Sequence, residues 1–207
     1  MGSDPIAVVG AGSVGGALAR KWAAAGHPVL LGTRDPSSSP AGALATELGH
    51  GARAVTARRA VEGAPVVVFA VPGGAMGGTV GGLGHLLDGK VVVDATNTMT
   101  GGSMNSIDII TAAAPAARAY RAFNTLGWEN FADPVIGGER ADLFFCGPDG
   151  PGRSTLEALV DEVGLRPVWV GDLDQMVLVD NLARLWFTLA LGRGFGRHTA
   201  LRVLSDR

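Results

Sequence analysis

The segment Gly10-Ala11-Gly12-Ser13-Val14-Gly15 constrains this chain more than any other stretch. It follows a short apolar run, Ile6 to Val9, and opens a helix-like stretch that reaches Ala25, so its glycines fall at a strand-to-helix turn. Each glycine then has its own task. Gly10 permits the tight turn, Gly12 lets a pyrophosphate approach the backbone, and Gly15 lets the helix pack closely on the strand. Ser13 and Val14 stand where the helix begins and its free N–H groups meet phosphate. The bare spacing would equally describe a glycine-rich loop; the flanking strand and helix make it a dinucleotide site near the amino end.

Strand and helix signals alternate through the remainder. Val29 to Gly32, Ala52 to Thr56, Val91 to Asp94 and Ala119 to Phe123 read as strands, and Val66 to Val71 is a continuous apolar run of the kind parallel sheets bury on both faces. Between them, Ala41 to Leu48, Ala57 to Glu62 and Ile107 to Ala114 read as helical, and Met76, Val80, Leu83 and Leu87 keep a helical spacing through a glycine-rich stretch. Asp142 to Cys146, Thr155 to Val163 and Arg166 to Val170 extend the same sheet. A terminal helix runs from Asp174 to Leu191, with Leu178, Leu182, Leu185 and Leu189 as an apolar seam beside Trp186 and Phe187. The expected fold is α/β: a Rossmann-type, doubly wound, mainly parallel sheet with a short C-terminal α/β extension and a terminal helix. It forms one nucleotide-binding domain over residues 1–207, with a core to 126 and an extension over 127–207. The seam serves either the chain's own sheet or a homodimer interface.

Bulk properties exclude several roles. A net charge of −2 and few basic runs argue against nucleic acid as a partner. No apolar run approaches the roughly 20 residues a bilayer crossing requires, so the expectation is a cytoplasmic protein with no membrane partner. The single cysteine, Cys146, sits beside Phe144 and Phe145 and reads as a buried filler. His27, His50 and His85 are scattered without metal-ligand spacing, and no metal is expected.

The end of the second strand sets the cofactor. Gly32-Thr33-Arg34 places a hydroxyl and a guanidinium where a ribose 2′-phosphate would lie, which favours NADP(H); Ser37 to Ser39 would add donors. Asp35 follows immediately, and were it to face the ribose the preference would weaken. Ala70, Val71 and Pro72 end the fourth strand at the crevice and line the nucleotide. Asn97 stands at the end of the fifth strand, where its amide either binds the nicotinamide half or organises its own turn. Phe123-Asn124-Thr125-Leu126-Gly127-Trp128 leaves the sheet at the same edge, and Trp128 either covers a hydride acceptor or fills the core.

Together, Gly10 to Gly15, Gly32-Thr33-Arg34, Ala70-Val71-Pro72, Val93-Asp94-Ala95-Thr96-Asn97, Ala122-Phe123-Asn124-Thr125 and Gly171-Asp172-Leu173 resemble the NADPH-dependent coenzyme F420 reductases. The resemblance implies hydride transfer between NADPH and the deazaflavin F420 at the carboxyl edge of the sheet. Thr33 and Arg34 would then hold the 2′-phosphate, Ala70 to Pro72 and Asn97 the nicotinamide half, and Asn124 and Thr125 would lie near the acceptor. Met176, Val177 and Asn181 stand where some members carry arginine or hydroxyl residues. Arg193, Arg197 and His198 either meet an anionic cofactor tail or form a solvated basic terminus.

Two other readings stay open. One is an NADPH-dependent reductase of a small imine or ketone, with Asp180 as proton donor; Asp180 also lies one helical turn before Arg184, the spacing of an ordinary ion pair. The other is an NADPH-binding sensor without turnover.

Overall fold

The computed structural model describes residues 3–37, 40–49, 51–99 and 101–206. Ser38 and Ser39, two of the expected phosphate donors, and His50 lie outside the described residues. In chain order the first half runs β1 (Ile6–Val9), α1 (Ser13–Ala24), β2 (Val29–Thr33), α2 (Pro40–Leu48), β3 (Arg53–Thr56), α3 (Ala57–Glu62), β4 (Val66–Phe69), α4 (Met76–Gly81), β5 (Val91–Asp94), α5 (Ile107–Ala113) and β6 (Arg118–Arg121). The second half adds α6 (Glu129–Ala132), β7 (Val135–Ile136), β8 (Glu139–Arg140), β9 (Asp142–Phe145), α7 (Pro151–Val163), β10 (Arg166–Trp169) and α8 (Met176–Phe187).

Six parallel strands form one sheet in the order β3-β2-β1-β4-β5-β6. This is the Rossmann order, with its switch point between β1 and β4. The strands are apolar on both sides because both sides are covered. Val8, Leu31, Val68 and Val93 face a core closed by α1, α2 and α7, whereas Ala7, Val9, Val67 and Val92 face one closed by α3, α4 and α5. Met76, Val80, Leu83 and Leu87 are all buried, so the spacing expected through the glycine-rich stretch holds, although α4 ends at Gly81 and resumes as a tighter turn over Gly84–Leu87.

Three features depart from the sequence-based picture. First, β9 and β10 do not extend the main sheet; they pair with each other and meet β6 through one antiparallel bridge, Arg121 to Cys146. Gly147, at φ +148 and pressed against the Tyr120 ring, turns away to bond the Gly171 carbonyl, so the ladder stops there. Second, α6 and the β7–β8 hairpin were not foreseen, although Gly137-Gly138, at φ +61 and +85, is the two-residue turn such hairpins favour. Third, the terminal helix is rotated relative to the expected seam. Val179, Ala183, Trp186 and Ala190 are buried, while Leu178 and Leu185 are about half exposed. The buried face is the one that carries Trp186 and Asp180 inward.

Beyond α8 the chain is strapped back over the extension. Trp186 donates to the Thr199 carbonyl, Arg197 pairs with Glu129, His198 bonds the Asp133 carbonyl, and the Val203 N–H donates to the buried Asp142 carboxylate. Arg197 and His198 thus take part in the tail's own attachment. Cys146 is fully buried, and that burial pushes its thiol up to about 12, which suits a filler.

Trp22 joins the amino-terminal half to the extension. Its ring is buried edge-on against Phe123 at 5.8 Å, and its indole N–H donates to the Leu159 carbonyl of α7 at 3.0 Å. Trp22→Phe leaves that carbonyl without its partner and is expected to lower the unfolding free energy by about 1–3 kcal/mol, read from urea denaturation.

Candidate functional site

A cavity of about 840 Å³ opens at the carboxyl ends of β1, β2, β3 and β4. Of the residues expected to bind nucleotide, Gly10, Gly12, Thr33, Arg34, Ala70, Val71 and Pro72 line it. The glycines occupy the separate roles their spacing implies. A Cβ on Gly10, which sits at φ +108, would lie 2.5 Å from the Ala70 carbonyl oxygen, and one on Gly15 would lie 1.9 Å from the Gly10 carbonyl oxygen. By contrast, nothing lies within 4 Å of a Cβ built on Gly12. The first backbone bond of α1 runs from the Gly16 N–H to the Gly12 carbonyl at 2.7 Å, so the N–H groups of Ser13, Val14 and Gly15 precede the helical ladder. That combination fits a dinucleotide: open backbone at Gly12 for the pyrophosphate, helix N–H groups beyond it, and Thr33 with Arg34 at the ribose end. Asp35 is turned toward its own loop. It lies outside the cavity wall, and its Oδ1 accepts from the Ser37 N–H at 3.0 Å and the Ser37 hydroxyl at 2.7 Å.

Asn97, Asn124 and Thr125 are not part of that wall. Asn97 and Asn124 belong to a polar cluster at the carboxyl edge of β5 and β6, centred on Arg121, and Thr125 is buried next to Asn124 in the chain. The fully buried Arg121 guanidinium donates from Nε to Asp180 Oδ1 at 2.9 Å, from Nη2 to Asn97 Oδ1 at 2.9 Å, and from Nη1 to the carbonyls of Asp94 and Thr96. Asp94, also fully buried, lies 3.4 Å from Nη1 and accepts from the Thr96 N–H and hydroxyl and from the Ser106 N–H. Asp180 is occupied on both oxygens: Oδ1 takes Arg121 and, at 3.4 Å, Asn124 Nδ2, while Oδ2 takes Asn105 Nδ2 at 2.7 Å. Asn97 Nδ2 leans on the Asn124 carbonyl at 3.5 Å.

The partner of Asp180 is therefore Arg121, a residue of β6, and not Arg184 on its own helix. Helical spacing makes Arg184 reachable, but the carboxylate is turned inward, and a buried guanidinium with few alternatives captures it. Arg121, Asn105 and Ser106 were missed by sequence reasoning. The available signal was an arginine in the strand Arg118–Arg121, whose neighbours Ala119 and Tyr120 are buried. Phe123, at φ +61, is the non-glycine residue with positive φ among the described residues. Its ring is clamped edge-on between Trp22 and Phe131, and a backbone conformation costing about 1–3 kcal/mol is retained where β6 hands over to Asn124. Asn124 Oδ1 and Thr125 Oγ1 are buried without a hydrogen-bond partner. Trp128 is 38 % exposed, so it is not a core filler. Among the described residues no group of three or more His, Cys, Asp or Glu is placed to hold a metal, and no helix is long and apolar enough to cross a membrane.

Residues 5–98, which carry the glycine turn, Arg34, the Ala70 to Pro72 wall and Asn97, match the family described as NADP oxidoreductase, coenzyme F420-dependent. The match covers the amino-terminal part of the chain. The chain is 26 % identical over 220 residues to the F420-dependent NADP reductase of Methanothermobacter marburgensis, covering 96 % of this chain and 97 % of that protein. It is 30 % identical over 205 residues to a glycerol-3-phosphate dehydrogenase [NAD(P)+] of Azorhizobium caulinodans, and it spans 61 % of that protein's length. Among solved structures, a candidate F420-dependent NADP reductase from Arthrobacter sp. FB24 shares the fold with a TM-score of 0.85 at 24 % identity, covering 98 % of this chain and all of that one. A reductive aminase from Aspergillus terreus, solved with NADPH and ethyl levulinate, superposes with a TM-score of 0.69 at 21 % identity over 93 % of this chain and 63 % of its own.

The glycines separate packing from binding. Gly15→Ala is expected to lower stability by about 1–3 kcal/mol through steric overlap, whereas Gly12→Ala should leave the melting temperature unchanged and weaken NADPH by about tenfold or more, read by thermal unfolding and calorimetry. The cluster has its own signature. Asp180→Leu leaves Arg121 buried with only the more distant Asp94 and should cost about 3–5 kcal/mol, and adding Arg121→Met should recover most of the loss in denaturant unfolding.

Proposed function

We propose that this chain is an NADPH-dependent oxidoreductase that passes a hydride between NADP(H) and the deazaflavin F420 at the carboxyl edge of its sheet. The observation that carries this reading is the state of Asp180. An acid that donates a proton to an imine needs an oxygen directed at the substrate, yet both Asp180 oxygens accept hydrogen bonds from Arg121, Asn105 and Asn124. The edge is built to orient. Hydride transfer between two ring systems asks for that: contact distance, alignment and exclusion of water. The likeness to the Methanothermobacter reductase over nearly the whole of both chains supports the same acceptor.

When bound, NADPH supplies the hydride. The protein's part is to hold the nucleotide at Gly12 and Arg34, to line its path with Ala70, Val71 and Pro72, and to fix Asn97, half-buried, at the margin of the polar cluster. The exposed apolar residues Val177, Leu178, Leu185 and Leu191 give α8 and the turn after it a surface suited to a second copy of the chain, and we propose a homodimer through it.

The test is NADPH oxidation followed by nicotinamide absorbance, with F420, with a cyclic imine in place of F420, and with NADH as control. Loss of NADPH that requires F420 and is much slower with NADH is the expected result. Turnover with the imine alone would replace F420 by an imine as acceptor. Tight NADPH binding with no turnover in any arm would leave a sensing role.

A further inference from the structure

The nucleotide cavity holds a second cation that its glycine motif does not announce. Thr33 and Thr56 are paired in the β2–β3 register, so Arg34 and Arg58 leave neighbouring strands one and two residues past the same rung. Both line the cavity, and among the described residues of its wall they are the charged ones; no acid accompanies them. Ala75, Gly78 and Gly82 also line the cavity, and nothing lies within 4 Å of a Cβ built on either glycine. Glycine inside a helix costs about 1 kcal/mol relative to alanine, so the space is left open at the expense of α4. The pyrophosphate is served by Gly12 and the start of α1, on β1. Two guanidiniums, Arg34 just past β2 and Arg58 in the first turn of α3 after β3, face a different anion.

We propose that Arg58 is a second ligand of the ribose 2′-phosphate and shares with Arg34 the choice of NADPH over NADH. The proposal rests on the NADPH reading above. Arg58 also has a built-in competitor: its Nε lies 2.9 Å from Glu62 Oε1, one helical turn later, with both side chains largely solvated. A phosphate dianion in the cavity draws Arg58 from an exposed carboxylate that holds it only weakly. Glu62 thereby sets how much of the arginine's affinity the nucleotide receives.

The experiment is titration calorimetry of the full chain with 2′,5′-ADP and with 5′-ADP, which differ in the 2′-phosphate alone. Wild type should prefer 2′,5′-ADP. Arg58→Gln should weaken 2′,5′-ADP by about tenfold, the loss expected for one charge-assisted contact, and leave 5′-ADP unchanged. Glu62→Gln should tighten 2′,5′-ADP by about twofold, in keeping with the strength of an exposed helical pair. Arg59→Gln, one residue on and outside the cavity wall, is the control for general surface charge and should change neither. Wild-type preference for 2′,5′-ADP that survives Arg58→Gln, or that Arg59→Gln reduces equally, overturns the role of Arg58 while leaving the NADPH reading in place. Equal wild-type affinity for the two probes overturns the NADPH reading itself. Arg58 is exposed, so unchanged melting temperatures should accompany all three variants.

Discussion

A guanidinium with no exposed surface holds the carboxyl edge of this protein together. Arg121 stands at the last position of β6, and its donors reach three other parts of the chain: Asp94 on β5, the Thr96 carbonyl and Asn97 in the loop after it, and Asp180 on α8. A buried charge without partners would be costly by several kcal/mol. Satisfying it therefore dictates where the loop and the terminal helix must lie. The rotation of α8 follows from this demand together with Trp186, because the face that brings Asp180 to Arg121 is the same face that buries Val179, Ala183 and Trp186. Leucines are then left on the outside.

The two halves of the candidate site use different physics. On the β1–β4 side the work is done by backbone and by missing atoms: crowding at Gly10 and Gly15 fixes the turn, and open space at Gly12 admits a ligand. On the β5–β6 side it is done by side chains that satisfy one another, with Asp94, Arg121 and Asp180 forming a network whose members cannot move singly. The first half tolerates a nucleotide arriving and leaving. The second is held in place by its own hydrogen bonds.

Phe123 links these halves to the rest of the fold. Its positive φ redirects the chain at the end of β6, and the edge-on contacts with Trp22 and Phe131 hold it there. Trp22 in turn is hydrogen-bonded to α7, so the geometry at Asn124 is braced by the extension. An unfavourable backbone state persists when surrounding packing over-determines it, and here that packing reaches from the first helix to the seventh.

Local sequence determined the parts of this protein that depend on near neighbours in the chain. The Gly10 to Gly15 turn, the continuous apolar strands, the buried period of Met76, Val80, Leu83 and Leu87, and the cation at the end of β2 are all set by spacing and residue type, and all were legible without coordinates. Tertiary structure alone decided what depends on distant partners. Asp180 meets Arg121 across 59 positions, Asn105 meets Asp180 across 75, and Arg58 reaches the cavity of Arg34 only through the β2–β3 register. A helical spacing can say that Asp180 and Arg184 are within reach of each other. It cannot say that a buried guanidinium, donated by a strand far away in the chain, will take the carboxylate first.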